Sequence, residues 1–192
     1  MGYVEFLSTL SDSSVWLEHK ADTFGVAGSN PVPTTLFFFM EKQIRLTIEL
    51  VPSTCWYTNV RSHVSEFTWD IIRKKCYRLA NHKCEICGST GKEQGYNHNV
   101  ECHEIWYYDD VNHKQILTGL IALCPYCHKT KHVGLAQING EKEIVINQLM
   151  KVNGMSREEA IKYITESFSI WKKRSEFKWE TDITYIKKYI ND

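Results

Sequence analysis

Two CxxC pairs, Cys84/Cys87 and Cys124/Cys127, constrain this chain more than any other feature. Thiolates at that spacing are the usual grip on a tetrahedral Zn²⁺, and closing such a site forces two distant loops together. The segment from Cys84 to His132 also carries His103, His128 and His132. The last two are four residues apart, so on a helix they project from one face and can share one ion. The stretch therefore holds ligands for two metals, one closed by four sulfurs and one open and rich in histidine. A closed site serves folding, whereas an open one leaves room for water and substrate.

Around this segment the local signals alternate. Val100 to Tyr108 (VECHEIWYY) is β-prone, Asp109 to His113 is a turn, and Ile116 to Leu123 is a second apolar run that leads into the second CxxC. Pro125 suits the first turn of a helix presenting His128 and His132. Strand, strand, helix is the order expected. Upstream, Trp69, Ile72, Cys76 and Leu79 recur at helical spacing, with Thr68 as the expected N-cap. That helix also carries Arg73, Lys74, Lys75 and Arg78 against Asp70. Its basic side reads either as a solvated amphipathic face or as a phosphate-contacting surface beside the metal site. Cys76, on the apolar stripe, and Cys55 read as buried thiols.

The ends are organised differently. Residues 1–39 carry acidic residues and a turn-forming stretch, Gly25 to Pro33, and read as a weakly tied extension or an ordinary N-terminal hairpin; Met40 offers a second start. Ile44 to Leu50 alternates like a strand before Pro52, and Trp56 to Arg61 reads as a connecting turn. Residues 40–140 are then expected to form the metal domain and 141–192 a helical appendage. Gly134 to Gly140 closes the helix after the second CxxC and opens a loop; in the appendage 141–152 is a short helix ended by Asn153-Gly154, and Ser156-Arg-Glu-Glu159 a capping box. Ala160, Ile161, Ile164, Phe168 and Trp171 follow on one face, and Asp182 caps a last short helix. The whole is an α+β chain.

A formal net charge of zero excludes coating of nucleic acid by bulk charge, so any such contact comes from local basic patches. Seven cysteines, an odd number with four in metal spacing and no N-terminal signal pattern, fit a reducing, cytoplasmic compartment better than secretion. The LFFFM run at Leu36 to Met40 is too short to span a bilayer, so no membrane is expected as partner.

The pieces CEIC, HE of ECHEIW and LIALCPYCHKTKH, over roughly residues 82–134, resemble the zinc-stapled HNH endonuclease family with its ββα-metal fold. The resemblance implies structural Zn²⁺ on Cys84, Cys87, Cys124 and Cys127, and a catalytic divalent ion (Mg²⁺, Mn²⁺, Ni²⁺ or Zn²⁺) on His103, His128 and His132. It implies hydrolysis of phosphodiester bonds in nucleic acid, foremost DNA, in a bacterial or phage setting, with Lys129, Lys131 and the basic helix holding the backbone. Two positions depart from the pattern: Glu104 stands where the family has a general-base His, and Gly119 where it has an orienting Asn. Glu104 then becomes the expected base, a weaker one than His. A second register makes His103 the base and Glu101 or Glu104 a ligand. His98 and His113 read as surface histidines. A zinc-binding module without catalysis, acting on nucleic acid or a protein partner, retains every cysteine and is the alternative.

Overall fold

A two-stranded antiparallel hairpin divides the molecule. The computed structural model describes residues 44–190, so the expectations for residues 1–39 lie outside the described residues. Strand β1 (Glu101–Asp109) pairs with β2 (Lys114–Leu123) from Glu101 opposite Leu123 to Asp109 opposite Lys114, with a bulge between Ile105 and Trp106. Asp109 sets the turn: its Oδ1 accepts from the backbone N–H groups of Val111 and Asn112, both at 3.0 Å. A third strand, β3 (Glu180–Asp182), lies parallel to the start of β2. Nothing in its three polar residues announced it, because a short parallel strand is placed by its neighbour rather than by its own side chains.

Helices cover both faces of the hairpin. On one lies α1 (Val60–His63) with α2 (Glu66–Leu79), where Ile72 packs with Val60 and Leu117, and Cys76 with Val100 and Ala122. Ser65, not Thr68, caps α2: its hydroxyl accepts from the Thr68 N–H at 3.1 Å. Ile72 and Cys76 are buried as the period requires, while Leu79 is exposed. On the other face, α3 (Pro125–Lys131) leaves the end of β2 directly, with Pro125 at its first position. The chain then stays helical where a loop was expected, in α4 (Val133–Ile138), before Gly140 turns it with φ 74°.

Helices α5 (Lys142–Asn153) and α6 (Arg157–Arg174) complete the main core. Val145, Ile146, Leu149 and Ile164 pack with Leu123, Cys124 and Val133, so residues after 140 share one interior with the cysteine segment. Gly154 ends α5 with φ 62°, and Ser156 and Glu159 form the capping box that starts α6. Asp182 accepts from the Thr184 N–H at 2.8 Å ahead of a short 3-10 turn and α7 (Lys187–Ile190). Among the described residues no helix is long and apolar enough to cross a membrane.

Residues 44–50 form no strand, with a bend at Arg45 and Leu46. Their backbone partners explain why. The Asn153 side chain accepts from Arg45 and Leu46 N–H and donates to Leu46 O, Tyr163 Oη accepts from Ile48 N–H, and Lys131 O accepts from Glu49 N–H. An amide, a phenol and a helix-end carbonyl stand where a neighbouring strand was expected, so the segment is a strap.

Candidate metal centres

The four cysteine sulfurs lie within 4.8 Å of one another, a set that can hold a metal ion. Cys84 and Cys87 come from a tight turn after α2, closed by Gly88 N–H to Cys84 O at 2.8 Å, with Gly88 at φ 76° where a side chain would be strained. Cys124 follows β2 as the N-cap of α3, and Cys127 sits in the first turn of α3. Cys87 lies 3.6 Å from both Cys124 and Cys127. A tetrahedron with metal–sulfur legs of about 2.3 Å has edges of about 3.8 Å, so the donor set fits Zn²⁺. None of the cysteines is in a disulfide. Hydrogen bonds from Cys124 and Cys127 pull the Cys84 thiol far below its ordinary range and Cys87 to about 7. Two side-chain amides donate to the sulfurs: Gln94 Nε2 to Cys124 at 3.2 Å and Gln148 Nε2 to Cys127 at 3.1 Å. Gln148 comes from α5, and no spacing in the sequence pointed to it.

The three histidines also converge. His103 projects from β1 toward α3, where His128 and His132 stand one turn apart. Ring centroids are 5.3 Å apart for His103 and His128, 4.9 Å for His103 and His132, and 4.7 Å for His128 and His132. One ring nitrogen from each lies within 4.8 Å of the others. Burial lowers the pKa of His103, and burial with the neighbouring imidazoles lowers that of His132 to about 3. Both rings are neutral at pH 7, the state that ligates metals. A cavity of about 180 Å³ opens beside them, lined by Tyr96, Glu101, His128, His132, Leu135 and Glu141, among others.

Two carboxylates complete this cluster. Glu101, two residues before His103 and so on the same face of β1, contacts His128 Nδ1 with one oxygen and lies 2.8 Å from His98 Nε2 with the other. The His128 hydrogen bond, outweighing burial, brings its pKa to about 2. Glu49, from the strap, meets His103 Nε2 at 3.1 Å and pairs with buried Lys131. Burial alone would raise this carboxyl; His103 and Lys131 overcome it and lower the pKa to about 2. Sequence reasoning missed Glu49, because it lies 54 residues from His103 in a stretch read as a strand.

Other expected site residues go elsewhere. Successive side chains alternate across a strand, so Glu104 faces away from His103. Its Oε1 accepts from the Val60 N–H at 2.7 Å at the start of α1. Burial raises its pKa, and the Val60 N–H offsets part of the rise. The position that the HNH resemblance gives to the general base therefore holds the first N–H of α1, beside the N-cap Asn59. Gly119 sits opposite Ile105, where an added Cβ would come within 3.2 Å of Ile105 Cδ1, so packing against the bulge favours glycine there.

The basic helix α2 lies on the Cys102 and Glu104 side of the hairpin, not beside the histidines as expected. Arg73 and Lys74 pair with Asp70, and Lys75 lies 5.6 Å over the Tyr189 ring, while Arg78 is exposed. Lys129 is held at 2.6 Å by both oxygens of Glu141 at the cavity, and Lys131 is buried on Thr47 and Glu49. His113 stacks on Phe177 with centroids 4.2 Å apart, remote from the cluster in its contacts. Comparison of the chain with protein-family models, with curated proteins and with solved structures found no match.

Proposed function

We propose that the chain is a metal-dependent endonuclease of HNH type that hydrolyses phosphodiester bonds in nucleic acid, most readily DNA. The observation that carries this reading is the convergence of His103, His128 and His132 beside an open cavity, apart from the four-sulfur set. Three imidazoles suit Zn²⁺ or Ni²⁺ better than the hard, octahedral Mg²⁺. A divalent ion there would supply a Lewis acid for a phosphate oxygen and a bound water that ionises near neutral pH.

The chain's own residues prepare that chemistry. Glu101 occupies His128 Nδ1 and so leaves its Nε2 for a ligand. Glu49, Glu101 and Glu141 outnumber Lys129 and Lys131 around the cluster, which repels phosphate until a divalent cation reverses the sign. Tyr96 and Leu135 give the cavity an apolar wall against which a sugar or base can rest, with Lys129 in its lining over the Tyr96 ring. Glu104 plays no part in the reaction. His103, His128 and His132 would hold the ion, which would supply the acidity that activates water, and among the described residues Glu101 is the carboxylate lining the cavity next to His128.

A second reading has two observations in its favour. The turned-away Glu104 and the internally paired Arg73, Lys74 and Lys129 also suit a zinc-stabilised module that binds nucleic acid or a protein without cutting. Incubating purified protein with plasmid and single-stranded DNA in Zn²⁺, Ni²⁺, Mn²⁺, Mg²⁺ or EDTA separates the two. Cutting that EDTA abolishes supports the nuclease; intact DNA under every metal leaves the binding module.

A further inference from the structure

Glu49 is the one acidic residue of the strap that reaches the histidines, and the strap is anchored at both ends of its run. Arg45 Nη2 donates to Ile86 O, within the first cysteine turn, at 2.6 Å. Asn153 clamps Leu46 from both sides, and Lys131 O holds the Glu49 N–H at 3.2 Å. Lys131 Nζ, with its side chain 5 % exposed, then grips the Glu49 carboxylate and the Thr47 hydroxyl together. This leaves Glu49 Oε2 at 3.1 Å from His103 Nε2, on a ring that is itself 5 % exposed. The side chains placed to share a metal are His103, His128 and His132, without Glu49, whose described contact with this group is the one to His103 Nε2.

We infer that Glu49 is a positioning residue that fixes the ring orientation and tautomer of His103, so that Nε2–H donates to the carboxylate and Nδ1 is presented to a metal. The inference rests on the reading of the histidines as a metal site. A carboxylate behind a ligating imidazole locks its tautomer and raises its basicity, and loss of such a partner typically costs 10–100-fold in metal affinity. Lys131 gives the carboxylate a fixed place, since an ammonium buried on two oxygen acceptors has no other position to adopt. The strap is thereby part of the site, tied at Arg45 to one cysteine turn and at Glu49 to the histidines.

The test uses the full, zinc-loaded chain titrated with Ni²⁺ by calorimetry, together with long-range ¹H–¹⁵N spectra of the His103 ring before nickel is added. The wild type should show His103 protonated on Nε2. Glu49→Ala should lose that preference and bind Ni²⁺ 10–100-fold more weakly while retaining the zinc on its cysteines. Glu49→Gln keeps the size and an accepting oxygen but loses the charge, so it should fall between the two, and it carries the test if the alanine variant does not fold. Unchanged nickel affinity in the variants, or a wild-type His103 protonated on Nδ1, would overturn the inference. A wild type that takes up no nickel would overturn the metal reading beneath it, an outcome the binding isotherm distinguishes from a silent Glu49.

Discussion

The four-cysteine and three-histidine clusters share α3 but are supported in opposite ways. Three of the four cysteines are buried, and the sulfurs receive amide N–H groups from Gln94 and Gln148. Those neutral donors stabilise thiolate charge, and Gln94 Oε1 accepts from the Tyr126 N–H at 3.2 Å. The histidines are backed by Glu49 and Glu101, which accept from ring N–H groups, and His128 and His132 border a cavity. Donors behind thiolates stabilise a finished site; acceptors behind imidazoles raise the basicity of ligands in one that still has a position to fill. On the proposed reading the difference gives folding to the first cluster and reaction to the second, and it can be broken by asking each to do the other's work.

The largest effect is expected at the cysteines. Cys84→Ser should leave the chain without zinc and largely unfolded, since structural zinc in small domains contributes on the order of 10 kcal/mol to folding; elemental analysis and circular dichroism check both. His128→Ala should do the reverse. DNA cutting should fall by three orders of magnitude or more, while melting shifts by only about 1 kcal/mol, because the ring lies at the cavity and outside the apolar core. An equal loss of folding in both variants would erase the distinction.

Smaller effects sharpen it. Gln148→Ala removes a buried N–H donor from Cys127 and should cost about 1–3 kcal/mol of stability and speed zinc transfer to a chelator, with nickel affinity at the histidines unchanged. The smallest effect is expected from Glu104→Gln. An amide oxygen can still accept from the Val60 N–H, so stability should change by about 1 kcal/mol and the cutting rate not at all. A large loss of activity there would return Glu104 to the site that its strand position denies it.

Legibility in the sequence followed the range of each signal. The cysteine pairs, the hairpin and α3 were readable because CxxC spacing, period-two alternation and an N-terminal Pro are local marks. The histidines were found for the same reason, since His128 and His132 are one turn apart. The placement of Glu104 was not legible, because a one-residue step along a strand reverses the face and adjacency to His103 in sequence concealed that reversal. Residues 44–50 alternated like a strand, yet strand formation needs a neighbour, and the Asn153 amide took that place. Glu49, Gln94 and Gln148 act across the fold through single side-chain contacts, which leave no periodic trace. The basic stripe of α2 marked an exposed face correctly, but periodicity carries no information on which side of the hairpin the helix docks.

The central claim, two metal sites of different chemistry on one helix, is tested most directly by X-ray absorption at the nickel edge after Ni²⁺ is added to zinc-loaded wild-type protein. The account predicts a shell of nitrogen and oxygen at about 2.0–2.1 Å with no sulfur, alongside zinc that keeps four sulfurs at about 2.3 Å. Sulfur around nickel, or nickel that fails to bind while zinc stays in place, would contradict it.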